Sequence, residues 1–133
     1  MIGETDLVML LRNLQPRLDP RSFVFCSVDA GQYQQLKITP LGMFHESEGI
    51  TLILESNQAQ AANLTYTEVW ALITLNIHSS LTAVGFLAKI TTKLARAGLS
   101  VNAISAFYHD HLFVLWEEKE RAMAILKEFE QAS

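Results

Sequence analysis

Apolar and polar residues alternate most regularly in one segment near the middle of the chain. Between Thr67 and Ile77, every second residue is apolar, starting at Val69. Successive side chains of a β-strand point to opposite faces, so this spacing predicts a strand. Trp70 and Leu72 occupy alternate positions and are also apolar, which predicts that the second face is partly covered.

The apolar spacing changes to three and four residues in other segments, which are predicted to be amphipathic helices. Gly98 is expected to end one of them in the left-handed conformation. Gly85 is predicted to lie inside the first turns of that helix, where glycine costs up to about 1 kcal/mol relative to alanine. Close packing or the approach of a ligand would offset that cost. The predicted helices are 5–14, 58–64, 83–97 and one that opens at Glu117.

Short segments rich in aromatic and β-branched residues are predicted to be strands. They are 22–28, 41–45, 50–55, 99–108 and 112–116, with a hairpin turn at 46–49, a polar connection at 31–40 and a turn at 109–111. Helices that alternate with strands predict a sheet covered by helices on one face. Each half of the chain lacks a strand at its outer end. Either the central strand serves both halves, or sheet edges pair across a dimer.

Composition narrows the classes of function. The 133 residues carry a net charge of −4 with no run of lysine or arginine, which disfavours nucleic-acid binding. The single cysteine, Cys26, favours a reducing cytoplasm, and no apolar stretch approaches the roughly 20 residues of a membrane span. The motifs of phosphate-binding loops, zinc proteases and serine hydrolases are absent, so an enzyme is not expected. A catalytic triad formed by residues that are distant in sequence remains an alternative.

The segments AVGFLAKI at residues 83–90 and GLSVNAIS at residues 98–105 make the chain resemble the ACT domain family. The whole chain is similar to short bacterial proteins with two such domains in tandem. The resemblance is strong over 67–126 and weaker over 1–64. Two positions depart from the family pattern: Val84 replaces a common proline, and Ser100 replaces a frequent asparagine.

The resemblance implies an α+β fold of two ferredoxin-like βαββαβ units, 1–64 and 65–133, with antiparallel sheets and helices on one face. It also implies a non-catalytic regulatory module that binds a small molecule, expected to be an amino acid, and that forms a homodimer. The alternative is a protein-interaction module with the same fold that has lost its ligand. Neither reading includes a cofactor.

The candidate ligand site lies between the central strand and the helix that follows it. A serine at a helix start can cap free backbone N–H groups, and the same groups can hold a ligand carboxylate. An asparagine amide could bind both the ammonium and the carboxylate of a ligand, or simply brace a turn. The predicted ligand-binding residues are His78, Ser79, Ser80, Leu81, Val84, Gly85, Phe86, Asn102 and Ile104.

The triplet His109-Asp110-His111 is open to a metal-site reading and a turn reading, and Asp110 could also pair with the ammonium of a ligand. Histidines two residues apart on a strand share one side, and imidazole nitrogen is a zinc ligand. Aspartate also tolerates turn conformations, and the triplet falls where two strands must reverse. The turn reading is favoured, and no metal site is predicted.

Overall fold

The computed structural model describes residues 4–77 and 84–131, with side chains from Leu7 onward. The helices are α1 (Glu4–Arg12), α2 (Ala30–Gln35), α3 (Ser56–Ala61), α4 (Phe86–Arg96) and α5 (Lys119–Gln131), with a 3₁₀ turn at Trp116–Glu118. The strands are β1 (Pro16–Val28), β2 (Gly42–His45), β3 (Ile50–Glu55), β4 (Trp70–Leu75), β5 (Val101–Ser105) and β6 (Asp110–Leu115).

The described residues form two compact units. Unit 1 contains the residues up to Pro20 and those from Ala71 onward, and unit 2 contains Arg21–Trp70. Strand β1 passes from unit 1 into unit 2 between Pro20 and Arg21. The predicted division between residues 64 and 65 stays a prediction.

In unit 1, the strands run in the order β4-β6-β5, with β5 at the edge. Strands β5 and β6 are antiparallel and pair Val101 with Val114. Alternate residues of β4 and β6 face helices α4 and α5, because their side chains share one core with those helices. The fully buried members of this core include Leu14, Ile73, Leu75, Ile90, Leu94, Leu112, Val114 and Leu126.

In unit 2, the order is β2-β3-β1, again antiparallel, and β3 pairs Leu54 with Val24. The predicted hairpin between β2 and β3 is confirmed, since the Glu46 N–H donates to the Gly49 carbonyl at 2.9 Å. The buried core consists of Val24, Cys26, Val28, Ile50, Leu52, Leu54 and Ala59. The α+β class with antiparallel strands is therefore as predicted.

Two of the differences from the sequence prediction concern a helix that was not predicted and the early part of a strand. The stretch predicted as a polar connection at 31–40 contains most of α2, which begins at Ala30. Strand β1 begins at Pro16, earlier than the predicted Ser22. Both differences arise where the sequence shows no regular apolar spacing.

Candidate functional site

Helix α4 begins at a glycine in the left-handed conformation. Gly85 is the N-cap residue, with φ +84° and ψ −9°. The prediction that Gly85 lies inside the first turns of the helix is therefore wrong. The Lys89 N–H donates to the Gly85 carbonyl at 3.0 Å, which starts the helical hydrogen bonding. The N–H groups of the first turn precede this bond and have no acceptor within the helix.

Nothing acidic in α4 itself neutralises this helix start. Glycine has no side chain to accept a hydrogen bond, and the first turn of α4 contains no acidic residue. The backbone N–H groups and the helix dipole together give this end a partial positive charge. A carboxylate or another anion is the ligand that such a helix start favours.

The predicted site residues 78–81, namely His78, Ser79, Ser80 and Leu81, lie outside the described part of the chain. Of the neighbouring predictions, Val84 is 65% exposed, directly before the helix start. Phe86 is buried in the core of unit 1 together with Ile90 and Leu94. The Phe86 side chain therefore packs inward and anchors the first turn of α4.

Asn102 and Ile104 lie on the edge strand β5, opposite Phe113 and His111 of β6. Val101 packs against the core shared with α4 and α5. Because side chains alternate along a strand, Asn102 and Ile104 face the other side of the sheet. The structure thus brings Val84 and Gly85 together at the start of α4, and it separates Asn102 and Ile104 from the Phe86 side chain.

In unit 2, helix α2 also follows a strand, and there the chain supplies its own carboxylate. Asp29 follows β1 and caps α2, with its Oδ1 accepting from the Gln32 N–H at 2.8 Å. In return, Gln32 Oε1 accepts from the Asp29 N–H at 3.0 Å. The aspartate followed three residues later by glutamine was the sequence signal for this helix start. The sequence prediction missed it.

A groove of about 620 Å³ in unit 1 extends from Gly85 along the exposed side of α4. Leu7 of α1 and Phe129 of α5 contribute its apolar surface. The cations Lys89, Lys93 and Arg96 lie along α4 beside it. The groove can therefore accept a small molecule whose charge is opposite to that of the α4 side chains.

The predicted turn at 109–111 is wrong. The reversal lies at 106–109, where the Ala106 N–H donates to the His109 carbonyl at 3.0 Å, and Asp110 begins β6. Asp110 is buried and accepts a hydrogen bond from the Ser105 hydroxyl on the paired strand. This partner explains why an aspartate starts a strand here.

His111 points to neighbouring strand β4, where its Nδ1 lies 2.9 Å from Thr74 Oγ1. Burial lowers the pKa of His111, the positive charge of His109 lowers it further, and Asp110 opposes the shift. Within the described ranges, no three His, Cys, Asp or Glu side chains converge as metal ligands.

Comparison with known proteins identifies the family. One ACT domain model matches residues 2–71, more than half of the chain, and a second ACT domain model matches residues 65–128. The chain therefore belongs to the ACT domain family and contains two such domains in tandem, as the sequence resemblance indicated. No curated protein matches the chain.

Solved structures agree with this assignment. A Vibrio cholerae protein of unknown function, described as a possible transport protein, is 41% identical, with a TM-score of 0.83, over 95% of this chain and 97% of its own. The regulatory subunit of aspartate kinase from Thermus flavus is 12% identical, with a TM-score of 0.67, over 86% of this chain and 95% of its own. Escherichia coli aspartokinase III in complex with aspartate and ADP is 14% identical, with a TM-score of 0.63, over 86% of this chain and 32% of its own. At these low identities, the two kinase structures share the fold.

None of the helices in the described ranges is long and apolar enough to cross a membrane.

Proposed function

We propose that the chain is a non-catalytic regulatory module that binds a free amino acid at the start of α4, with one site in each chain. The observation that carries this proposal is the difference between the starts of α2 and α4. In unit 2, the Asp29 carboxylate occupies the helix start. In unit 1, the N-cap of α4 is Gly85, which offers backbone groups and no side chain.

The α-carboxylate of the ligand would take the role in unit 1 that Asp29 takes in unit 2. It would accept hydrogen bonds from N–H groups at the start of α4, and the helix dipole would favour its charge. The predicted residues 78–81 stand a few positions before Gly85 in the sequence and are proposed to contribute to the site. Regulation then requires that the amino acid bind one arrangement of the protein more tightly than another.

Thermal unfolding of the full chain with each of the twenty amino acids tests this function. At 100 times the dissociation constant, a ligand of the folded state adds about 2.7 kcal/mol, or a rise of roughly 8–13 °C in Tm for a chain of this size. The amine that lacks the α-carboxylate of the binding amino acid should give no rise. Calorimetry should count one site per chain. The absence of any shift at 10 mM amino acid would contradict the proposal.

A second candidate function, protein interaction, is favoured by the tip of the β5–β6 hairpin. Phe107 and Tyr108 are 73% and 64% exposed there, with ring centroids 5.0 Å apart. They follow β5, which ends the strand order and leaves one edge unpaired in that order. An exposed edge with apolar side chains favours association, including the homodimer expected from the sequence. Sedimentation of the F107S/Y108S variant, compared with the unmodified chain, tests this role without any amino acid.

A further inference from the structure

We infer that unit 2 has a ligand site of its own, a groove between α2 and α3 that binds a small monocarboxylate with an aliphatic body. This α2–α3 groove is separate from the proposed amino-acid site at Gly85. Its volume of about 670 Å³ is within the usual range of small-molecule sites. It is lined from α2, from the segment directly after α2, and from α3.

The α2–α3 groove is open because the two helices of unit 2 are short. Helix α2 has six residues and buries none of them, and α3 has six residues and buries Ala59. In unit 1, helices of 11 and 13 residues share one core, and an ion pair joins Lys93 to Glu128 at 3.0 Å. Unit 2 therefore leaves open a space of the kind that unit 1 fills with its own side chains.

The apolar surface of the α2–α3 groove is continuous with the core of unit 2. Leu36, Ile38 and Leu64 are half-buried and pack against that core. The same three side chains line the groove. An aliphatic body that covers them would remove their remaining apolar surface from water.

Two glutamine amides are held at the α2–α3 groove by capping boxes on different helices. Gln32 Oε1 accepts from the Asp29 N–H at 3.0 Å, and both residues belong to the start of α2. Gln58 Oε1 accepts from the Glu55 N–H at 3.1 Å at the start of α3. Because the amide oxygens are engaged in this way, the NH₂ groups of Gln32 and Gln58 are the donors that each side chain offers to a ligand.

The charge of the α2–α3 groove favours an anion. Lys37 is exposed and is the one ionic side chain among the described residues that line it. The acidic residues of the two capping boxes are engaged elsewhere. Asp29 accepts from the Gln32 N–H, and Glu55 lies 3.7 Å from Arg21. A carboxylate that reaches Lys37 and a glutamine amide would gain charge-assisted hydrogen bonds.

The same residues argue against an amino acid as the occupant of the α2–α3 groove. The described residues that line it include no acidic side chain that would bind an ammonium group. A cation, neutral amide donors and an aliphatic surface together match a carboxylate joined to a hydrocarbon chain.

Calorimetry of the full chain with octanoate, octan-1-ol and acetate tests this site. Octanoate has both the carboxylate and the aliphatic body, and each of the other two has one of them. Octanoate should bind to one site per chain, at least about ten-fold more tightly than octan-1-ol or acetate, because a charge-assisted hydrogen bond is worth a factor of that size. K37Q should abolish the preference for octanoate over octan-1-ol. K127Q changes an exposed lysine of α5 outside the groove and should retain it.

Two alanine positions locate the bound octanoate. Ala61 is exposed on α3 and lines the groove, so A61W should fill the groove and prevent binding. A124W places the same side chain at an exposed position of α5 and should bind octanoate as the unmodified chain does. Both variants should unfold at nearly the same urea concentration as the unmodified chain, because both positions are exposed.

Several outcomes would overturn this site. They are equal affinity for octanoate and octan-1-ol, a K37Q variant that keeps the preference, and a folded A61W variant that still binds octanoate. G85A should bind octanoate normally. If G85A loses octanoate and A61W does not, the carboxylate binds at the start of α4, which supports the proposed function and refutes the site in unit 2. If octanoate binds as expected and no amino acid binds, the proposed function fails and this site stands.

Discussion

The two glycines that bracket α4 allow a matched test of its helix start. Gly85 precedes the helix with φ +84°, and Gly98 follows it with φ +83°. A Cβ at Gly85 would meet Leu7 Cδ2 at 3.8 Å, an ordinary contact, and a Cβ at Gly98 would meet nothing within 4 Å. Substitution by alanine therefore adds no steric clash at either position. The cost is conformational alone.

The expected loss of stability in the two alanine variants follows from two opposing contributions. An L-residue in the left-handed region costs about 1–2 kcal/mol. Alanine also restricts the unfolded chain, which returns about 0.4–1 kcal/mol. G85A and G98A should each lower the free energy of unfolding by about 1 kcal/mol, equivalent to a fall in Tm of about 3–5 °C. Asparagine tolerates the left-handed conformation, so G85N and G98N should each lose less than the alanine variant.

Urea unfolding at 25 °C, followed by circular dichroism, measures these differences. The slope of the free energy with urea should not change, because the folded surface is the same. The two alanine variants should match in stability, but only G85A should weaken amino-acid binding. The reasoning is refuted if G85A loses nothing, if asparagine is as costly as alanine, or if G98A weakens the binding of the amino acid equally.

Three further predictions concern residues away from Gly85. D29A should lower the unfolding free energy by about 1 kcal/mol through loss of the α2 cap, D29N should lose only part of this, and urea unfolding compares the two. L94A should cost about 2–5 kcal/mol, because Leu94 is fully buried in unit 1, and a cost near zero would contradict that burial. The lowered pKa of His111 means that unfolding takes up a proton as the pH falls through about 6.5, so stability should decrease below that pH. H111Q should show a smaller decrease between pH 7.5 and 5.5 in urea midpoints.

Sequence patterns predicted the elements that bury one face. The central strand, the helix that ends at Gly98 and the hairpin at 42–55 were all found, since each shows apolar spacing or a clear turn. Helix α2 was missed because none of its six residues is buried. The early part of β1 was missed because Pro16 and Pro20 are unusual in strands. Where packing does not require a regular spacing of apolar residues, the sequence shows no such spacing.

For the candidate site, the sequence indicated one unusual backbone position and did not indicate its geometry. The glycine before α4 indicated a special backbone position, but the residue type alone does not distinguish a helix interior from an N-cap in the left-handed region. The groove and its cations also depend on neighbours far apart in sequence, since Leu7 and Phe129 contribute to the same surface. Such contacts are tertiary, and local patterns do not contain them.

The path of β1 has a consequence for synthesis on the ribosome. Unit 2 is a continuous stretch of chain, and all of it has emerged once Trp70 and a short following segment are clear of the exit tunnel. Unit 1 needs Leu14 from near the beginning and Leu126 from near the other end for one core. The leucines near the beginning of unit 1 therefore lack their packing partners while more than a hundred further residues are translated. The core of unit 1 therefore closes last during synthesis. Chaperones would meet the nascent chain before that core has formed.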